Sequence, residues 1–283
     1  MKKTPSFLCI GAQKAGTTWL DQQLRTHPEV WLPPMKEVHF FDYVHRPEFR
    51  KWISWHLRST TRRELNKLIE QPGQLNWKDV NYLSNIMTKE KFTDSWYEYI
   101  FSAAESGKVT GEITPEYSTL SNSAIRHIEK LCQEPKYIYI IRDPVKRTWS
   151  QLKMNMVRNG DYSKAVKNNK VVDIDLFYNN VRHDSILDRG NYFKYVPNWD
   201  QFADRIKYIP FGDIKERPKD LLKEVCDFIG VSTEIDFSSA STQVHKGSGM
   251  KIPQSVHDML SEVLEEQSTF ITERFGKDFY SKI

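Results

Sequence analysis

Residues 7–19 read Phe-Leu-Cys-Ile-Gly-Ala-Gln-Lys-Ala-Gly-Thr-Thr-Trp, and this stretch constrains the fold more than any other. The run from Phe7 to Ile10 is apolar, as a strand covered on both faces requires. It stops at Gly11. Small and flexible residues follow, and a helix can begin near Thr17. A strand, a glycine loop and a helix N-terminus in that order make an anion site. Backbone N–H groups point into the loop, and the helix dipole adds positive potential. The triphosphate loop G-x-x-x-x-G-K-[ST] places its lysine directly after the second glycine. Here Gly11 and Gly16 keep the spacing, but Thr17 and Thr18 follow, and the lysine sits inside the loop as Lys14. Thr17 and Thr18 can still donate to a phosphate, while Lys14 can lean over that phosphate and the group beyond it. A strand–turn–helix with no nucleotide is the plain alternative.

Three further stretches carry chemistry. Lys36-Glu37-Val38-His39-Phe40-Phe41-Asp42 sets polar groups among aromatic anchors. Glu37 and His39 are either solvated loop residues or an acid–base pair. Cations near Glu37 would lower its pKa and desolvation would raise it. His39 competes as a base because its ordinary pKa suits neutral pH. The apolar run 136–141 reads as a buried strand and ends in Arg142-Asp143-Pro144, after which 145–156 continues as helix. Ligands of doubly wound sheets bind at strand C-terminal ends, where Arg142 sits. Ser150 lies about two helical turns on, within reach of the helix start. Arg147 reads as a surface charge. His245-Lys246-Gly247-Ser248-Gly249-Met250-Lys251 is a basic glycine loop, or a flexible connector.

The segment Gly-Ala-Gln-Lys-Ala-Gly-Thr-Thr-Trp-Leu resembles the 5′-phosphosulfate loop of sulfotransferases that use 3′-phosphoadenosine-5′-phosphosulfate (PAPS). Glu-Val-His-Phe-Phe-Asp is similar to a segment of the heparan sulfate type, and bacterial sulfotransferases share these motifs. The resemblance implies an α/β fold with a central parallel sheet flanked by helices, of the P-loop-like sulfotransferase kind. It implies that Lys14 assists transfer and that Glu37 takes the proton of the acceptor, with His39 as its rival. Lys14, Ala15, Gly16, Thr17, Thr18 and Trp19 would surround the phosphosulfate. Arg142 and Ser150 would hold the 3′-phosphate, Tyr192 of Arg189-Gly190-Asn191-Tyr192 would lie near the nucleotide, and Lys246, Gly247 and Ser248 would close over its phosphates. Related chains often read Glu-Lys-Thr-Pro-x-Tyr where this one reads Glu112-Ile113-Thr114-Pro115-Glu116-Tyr117, so one expected cation is missing. The product would be 3′-phosphoadenosine-5′-phosphate (PAP).

The chain's 283 residues make one sulfotransferase domain over 1–283, with a helical insert at about 45–107 rich in Trp, Tyr, Lys, Arg and Glu. Within the insert, 62–71 and 90–106 read as helices, and the aromatics of the second read as core. Residues 159–170 read as a polar loop and 255–274 as one long helix. Net charge is only +4, which forces no nucleic-acid footprint. No metal-ligand spacing, no stretch of membrane-span length and no signal peptide are legible. Cys9, Cys132 and Cys226 read as buried free thiols, which points to a reducing, cytoplasmic setting. The acceptor is an unspecified small molecule, saccharide or lipid, and the oligomeric state is not legible. A P-loop kinase or nucleotide triphosphatase is the first rival, but it needs a lysine directly after Gly16. A non-catalytic PAP-binding protein is the second, and it would have no use for Glu37.

Overall fold

The computed structural model describes residues 4–168, 170–241 and 251–283. β1 (Phe7–Gly11) leads through the glycine loop into α1 (Thr17–Arg25) and the short β2 (Val30–Trp31). The insert follows as α2 (Phe40–His45), α3 (Arg50–Glu70), α4 (Trp77–Thr88) and α5 (Asp94–Phe101). Alternation resumes with β3 (Val109–Ile113), α6 (Asn122–Cys132), β4 (Lys136–Ile141) and α7 (Pro144–Asn159). A peripheral unit holds α8 (Tyr162–Ala165), the antiparallel pair β5 (Val166–Lys167) and β6 (Lys170–Val171), α9 (Ile174–Val181), α10 (Asp184–Leu187) and α11 (Tyr192–Trp199). β7 (Ile206–Pro210), α12 (Asp213–Glu216), α13 (Pro218–Ile229), α14 (Gln254–Val263), α15 (Glu265–Phe275) and α16 (Lys277–Ser281) complete the order.

The main sheet is parallel throughout, in the order β2-β3-β1-β4-β7. β1 lies at its centre, with Leu8 opposite Glu112 on one side and Tyr137 on the other. Every residue of β1 is buried, which is why its sequence shows no alternation. Strand order reverses at β1, since β2 and β3 lie to one side and β4 and β7 to the other. The crevice at such a point receives the loops that leave the strand C-termini. The Lys14 loop and Arg142 both leave the sheet there.

Local signals explain most boundaries. Ser121 caps α6 by accepting the Ala124 N–H, and Asp143 caps α7 through the Lys146 N–H, each worth about 1 kcal/mol. Pro218 opens α13 and left-handed Gly230 closes it. Differences from the sequence expectation lie in the periphery. α3 starts at Arg50 rather than 62, because a narrow face of Ile53, Leu57, Thr60 and Thr61 suffices to hold it. α4 has no counterpart in that expectation. α5 begins only at Asp94, where Thr93 accepts the Trp96 N–H; Phe92 before it is left-handed at φ 62°. Trp96, Tyr97, Ile100 and Phe101 are buried, so those aromatics do build core. Residues 159–170 hold the end of α7, α8 and strand β5 rather than a plain loop. The long final helix is two helices that turn at Leu264. α14 packs with α7 and α9 through Val256, Met259 and Leu260, whereas α15 packs on α11, so one straight axis cannot serve both.

Candidate active site

The loop after β1 is held from both sides. The Ala12 N–H bonds the Ile140 carbonyl at 2.8 Å and the Ala15 N–H bonds the Ala12 carbonyl at 3.1 Å. Ala15 is buried, Lys14 is left-handed at φ 67°, and Gly16 follows at φ 91°. A Cβ on Gly16 would lie 2.5 Å from Ile214 Cδ1, so both backbone and space demand glycine. No side chain caps α1, which leaves its N-terminal N–H groups for a ligand. Thr17 is buried and Thr18 half-buried at that terminus. The Trp19 indole N–H donates instead to the Ala240 carbonyl at 2.9 Å and ties α1 to the turn 238–241. Lys246, Gly247 and Ser248 lie outside the described residues.

Positive charge gathers over this loop. Arg142 Nη1 donates to the Lys14 carbonyl at 2.6 Å, its guanidinium lies 4.4 Å from the Phe211 ring centroid, and its buried Nε has no partner among the described residues. Among the described residues Lys14 Nζ meets only a weak acceptor, Met154 Sδ, at 3.7 Å. Burial and then the neighbouring cations Arg142, Arg158 and Lys153 push the Lys14 pKa below its ordinary value. Lys153 and Arg158 were invisible in the sequence, since only the course of α7 brings them to Lys14. Mutually repelling cations with an orphaned guanidinium nitrogen fit a polyanionic cofactor. Tyr192 is buried behind Arg142, where its hydroxyl donates to the Arg142 carbonyl at 3.1 Å. Ser150 is half-buried on α7.

The segment before α2 makes a polar chain in an aromatic setting. Asp42 Oδ2 lies 2.7 Å from His39 Nδ1, and His39 Nε2 lies 3.0 Å from Glu37 Oε2. His39 and Asp42 are fully buried, while Glu37 keeps 22% of its side chain exposed. Burial opposes the His39 charge, but Asp42 and the Glu37 hydrogen bond outweigh it and hold the pKa well above the ordinary histidine value. For Glu37, burial is outweighed by Lys36 and His39 together, so its pKa falls below the usual carboxylate range. Burial and the His39 charge push His56 down to about 4. Glu37, His39 and His56 place ligand-type atoms within 4.8 Å of one another, but Lys36 Nζ at 3.4 Å from Glu37 opposes a cation there.

This segment hangs from β3. The Phe40 N–H donates to the Tyr117 hydroxyl at 3.0 Å, and that hydroxyl donates to Glu112 Oε1 at 2.8 Å. Thr114 and Tyr97 also donate to Glu112, so one buried carboxyl group joins the sheet, the segment before α2 and the insert. The Phe40 ring stacks on Tyr97 with centroids 4.6 Å apart. Ile113 is buried in β3, so no cation stands at that position. Arg189 brings one from another element. It pairs with buried Glu116 at 2.9 Å and lies over the Phe49 and Trp52 rings, and Gln13 of the loop donates to the same Glu116 at 3.0 Å. Nothing in the sequence spacing announces that meeting.

Arg147 corrects the sequence expectation. It is fully buried rather than a surface charge, and donates to Gln151 Oε1 at 2.7 Å and to the Ile186 carbonyl at 2.9 Å. Burial pushes its pKa down to about 10. A Cβ on Gly190 would lie 2.4 Å from Arg147 Nε, so that glycine makes room for the guanidinium.

An uncapped helix behind a glycine loop, at the reversal of a parallel sheet and ringed by cations, defines an α/β protein built to hold a polyanion. The chain belongs to the sulfotransferase family, whose model matches residues 5–235. It is 28% identical over 147 residues to the membrane-associated sulfotransferase kil1 of Dictyostelium discoideum, covering 52% of this chain and 22% of that protein. It is 24% identical over 242 residues to heparan sulfate glucosamine 3-O-sulfotransferase 3B1 of Mus musculus, covering 81% and 47%. The chain thus spans less than half the length of these curated relatives. The fold matches the crystal structure of a sulfotransferase from Alicyclobacillus acidocaldarius with a TM-score of 0.59 at 18% identity, over 96% of this chain and 95% of that one. It matches the sulfotransferase domain of the Synechococcus PCC 7002 olefin synthase with a TM-score of 0.56 at 20% identity, over 93% and 96%. Among the described residues no helix is long and apolar enough to cross a membrane.

Proposed function

We propose that this protein transfers a sulfuryl group from PAPS to a hydroxyl or amine of a saccharide, lipid or other small acceptor. Bound PAPS supplies a sulfuryl group on a phosphate leaving group; the chain's residues supply placement, charge and proton transfer. The observation that carries the reading is the position of Lys36 Nζ, 3.5 Å from Thr17 Oγ1 and 3.4 Å from Glu37 Oε1. One lysine thereby joins the start of α1, where the phosphosulfate would sit, to a carboxylate with an open edge.

Glu37 is the base in this account. Its carboxylate is ionised across the neutral range, it is partly exposed, and a proton acceptor must reach the acceptor group before pKa matters. His39 is a positioning residue rather than the rival base, because carboxylates occupy both ring nitrogens and leave no lone pair. Lys14 and Lys36 stabilise charge at the transferring group, and one such fixed cation in a water-poor site contributes ~3 kcal/mol, as oxyanion-hole donors do. Arg142, with Ser150 on the following helix, takes the 3′-phosphate; Lys153 and Arg158 add to the field. Three buried free thiols, Cys9, Cys132 and Cys226, fit a reducing, cytoplasmic setting.

The Glu37→Gln variant tests the base. Loss of sulfuryl transfer with PAP binding retained supports the reading. Retained activity removes Glu37 from its role, and loss of PAP binding as well makes Glu37 part of the nucleotide site.

A further inference from the structure

The outer face of α3 contributes no residue to the candidate site described above. With 3.6 residues per turn, Lys51, Trp55, Arg58, Arg62 and Ile69 fall within an arc of ~60°. That arc lies opposite Ile53, Leu57, Thr60 and Thr61, the residues that hold α3 to the core. Trp55 is 62% and Ile69 64% exposed, and Trp77, which opens α4 beyond the far end of α3, is 65% exposed. Lys51, Arg58 and Arg62 are exposed too. The acidic residues nearest them in sequence are engaged elsewhere, Glu48 by Arg46 and Glu64 by Arg63 and Lys67. The three cations therefore have no carboxylate partner among the described residues. No acidic residue falls within the arc.

Two requirements define what this stripe fits. Uncompensated lysine and arginine call for an anionic surface. Exposed tryptophan and isoleucine on the same face call for an apolar phase just behind that charge. A soluble polyanion meets the first requirement and leaves Trp55 and Ile69 in water. A bilayer with anionic headgroups meets both, since tryptophan settles at the headgroup level and basic residues are drawn to the charged leaflet. We propose that the outer face of α3 docks this protein on a membrane surface that carries anionic lipid headgroups. The N-terminal end of the same helix holds Trp52, whose ring stands 4.9 Å from that of His39. The inference does not depend on the sulfuryl-transfer reading.

Flotation of the purified full chain with vesicles tests it. Vesicles of phosphatidylcholine mixed with phosphatidylglycerol are compared with phosphatidylcholine alone. Binding on the order of tenfold tighter to the mixed vesicles is expected, and weaker as salt rises. Trp55→Ser with Ile69→Ser, and separately Arg58→Gln with Arg62→Gln, each reduce that binding about tenfold. Circular dichroism and thermal unfolding of the same variants must stay unchanged, which shows that they fold and that any loss belongs to the stripe. The proposal is overturned if wild type does not float with mixed vesicles at low salt, or if neither variant pair weakens flotation. It is also overturned if the stripe variants instead abolish binding to heparin, or dissolve a dimer, while wild type ignores vesicles.

Discussion

The imidazole of His39 stands between Glu37 and Asp42, with Nε2 3.0 Å from Glu37 Oε2 and Nδ1 2.7 Å from Asp42 Oδ2. Two carboxylates hold one charged ring, so the direction of the Glu37 carboxylate depends on a group it never touches. Glu37→Gln removes the proposed base and is expected to lower kcat by about 10²- to 10⁴-fold. Asp42→Asn keeps the Glu37 carboxylate but loosens its support, and is expected to lower kcat less while leaving the KM for PAPS unchanged. Steady-state kinetics with PAP calorimetry as the folding control checks both. Equal losses in the two variants would make Asp42 part of the chemistry.

The role proposed for Lys14 predicts an alkaline edge of activity. Burial and three neighbouring cations lower its pKa, so its charge is lost at a pH below the ordinary lysine value of 10.5. kcat/KM should therefore fall on the alkaline side before that pH, and Lys14→Arg should move the limb upward because arginine stays charged. On the acid side the Glu37 pKa is lowered too, but for a carboxylate that shift favours the charged form. A depressed Glu37 pKa means that its ion pairs stabilise the fold above the ordinary carboxylate pKa and weaken only as pH drops below it. An activity limb between pH 5 and 7, in the sense of roughly those bounds, would assign control to another group.

The role proposed for Arg142 concerns one end of the nucleotide, its 3′-phosphate. Arg142→Ala should weaken PAP on the order of ten- to a hundredfold while leaving 5′-AMP, which lacks the 3′-phosphate, nearly unchanged. Its bond to the Lys14 carbonyl gives the contrary outcome a clear form. Equal weakening of both nucleotides would mean that Arg142 only braces the loop.

Much of this was legible because local physics dictated it. β1, β4 and α13 announce themselves by buried apolar runs, a proline start and a glycine stop, and Glu37 and Lys14 stand out in short motifs. The insert was legible only as helical. α3 fully buries only two aliphatic and two threonine side chains, with Leu65 and Leu68 partly buried beside them, too thin a stripe at its N-terminal end for periodicity to mark its start. Arg147 was misread because an arginine on a helix is ordinarily solvated, and only the approach of Gly190 and the Ile186 carbonyl makes room for it inside. The joining of Glu116 to Arg189 and Gln13 needs three segments to meet, and no spacing along one chain encodes that.

Glu112 carries a stability prediction. Burial outweighs the hydroxyls of Thr114, Tyr97 and Tyr117 and pushes its pKa up to about 7. The folded state then holds a proton that the unfolded chain has lost, so stability declines as pH rises from the ordinary carboxylate pKa of 4.5 through about 7. The decline amounts to ~3 kcal/mol. Glu112→Gln should flatten that slope, read as a smaller difference in denaturant midpoint between acid and mildly alkaline buffer. A slope as steep as wild type would place its origin elsewhere.

The central claim is that the Lys14 loop holds a phosphosulfate nucleotide rather than a triphosphate. Calorimetric titration of the purified chain with PAP, against ATP and Mg²⁺, tests it most directly. The account predicts tight one-to-one binding of PAP that chelator does not disturb, and weak binding of ATP. Tight binding of ATP with Mg²⁺ and none of PAP would contradict it and turn the site into that of a kinase or triphosphatase.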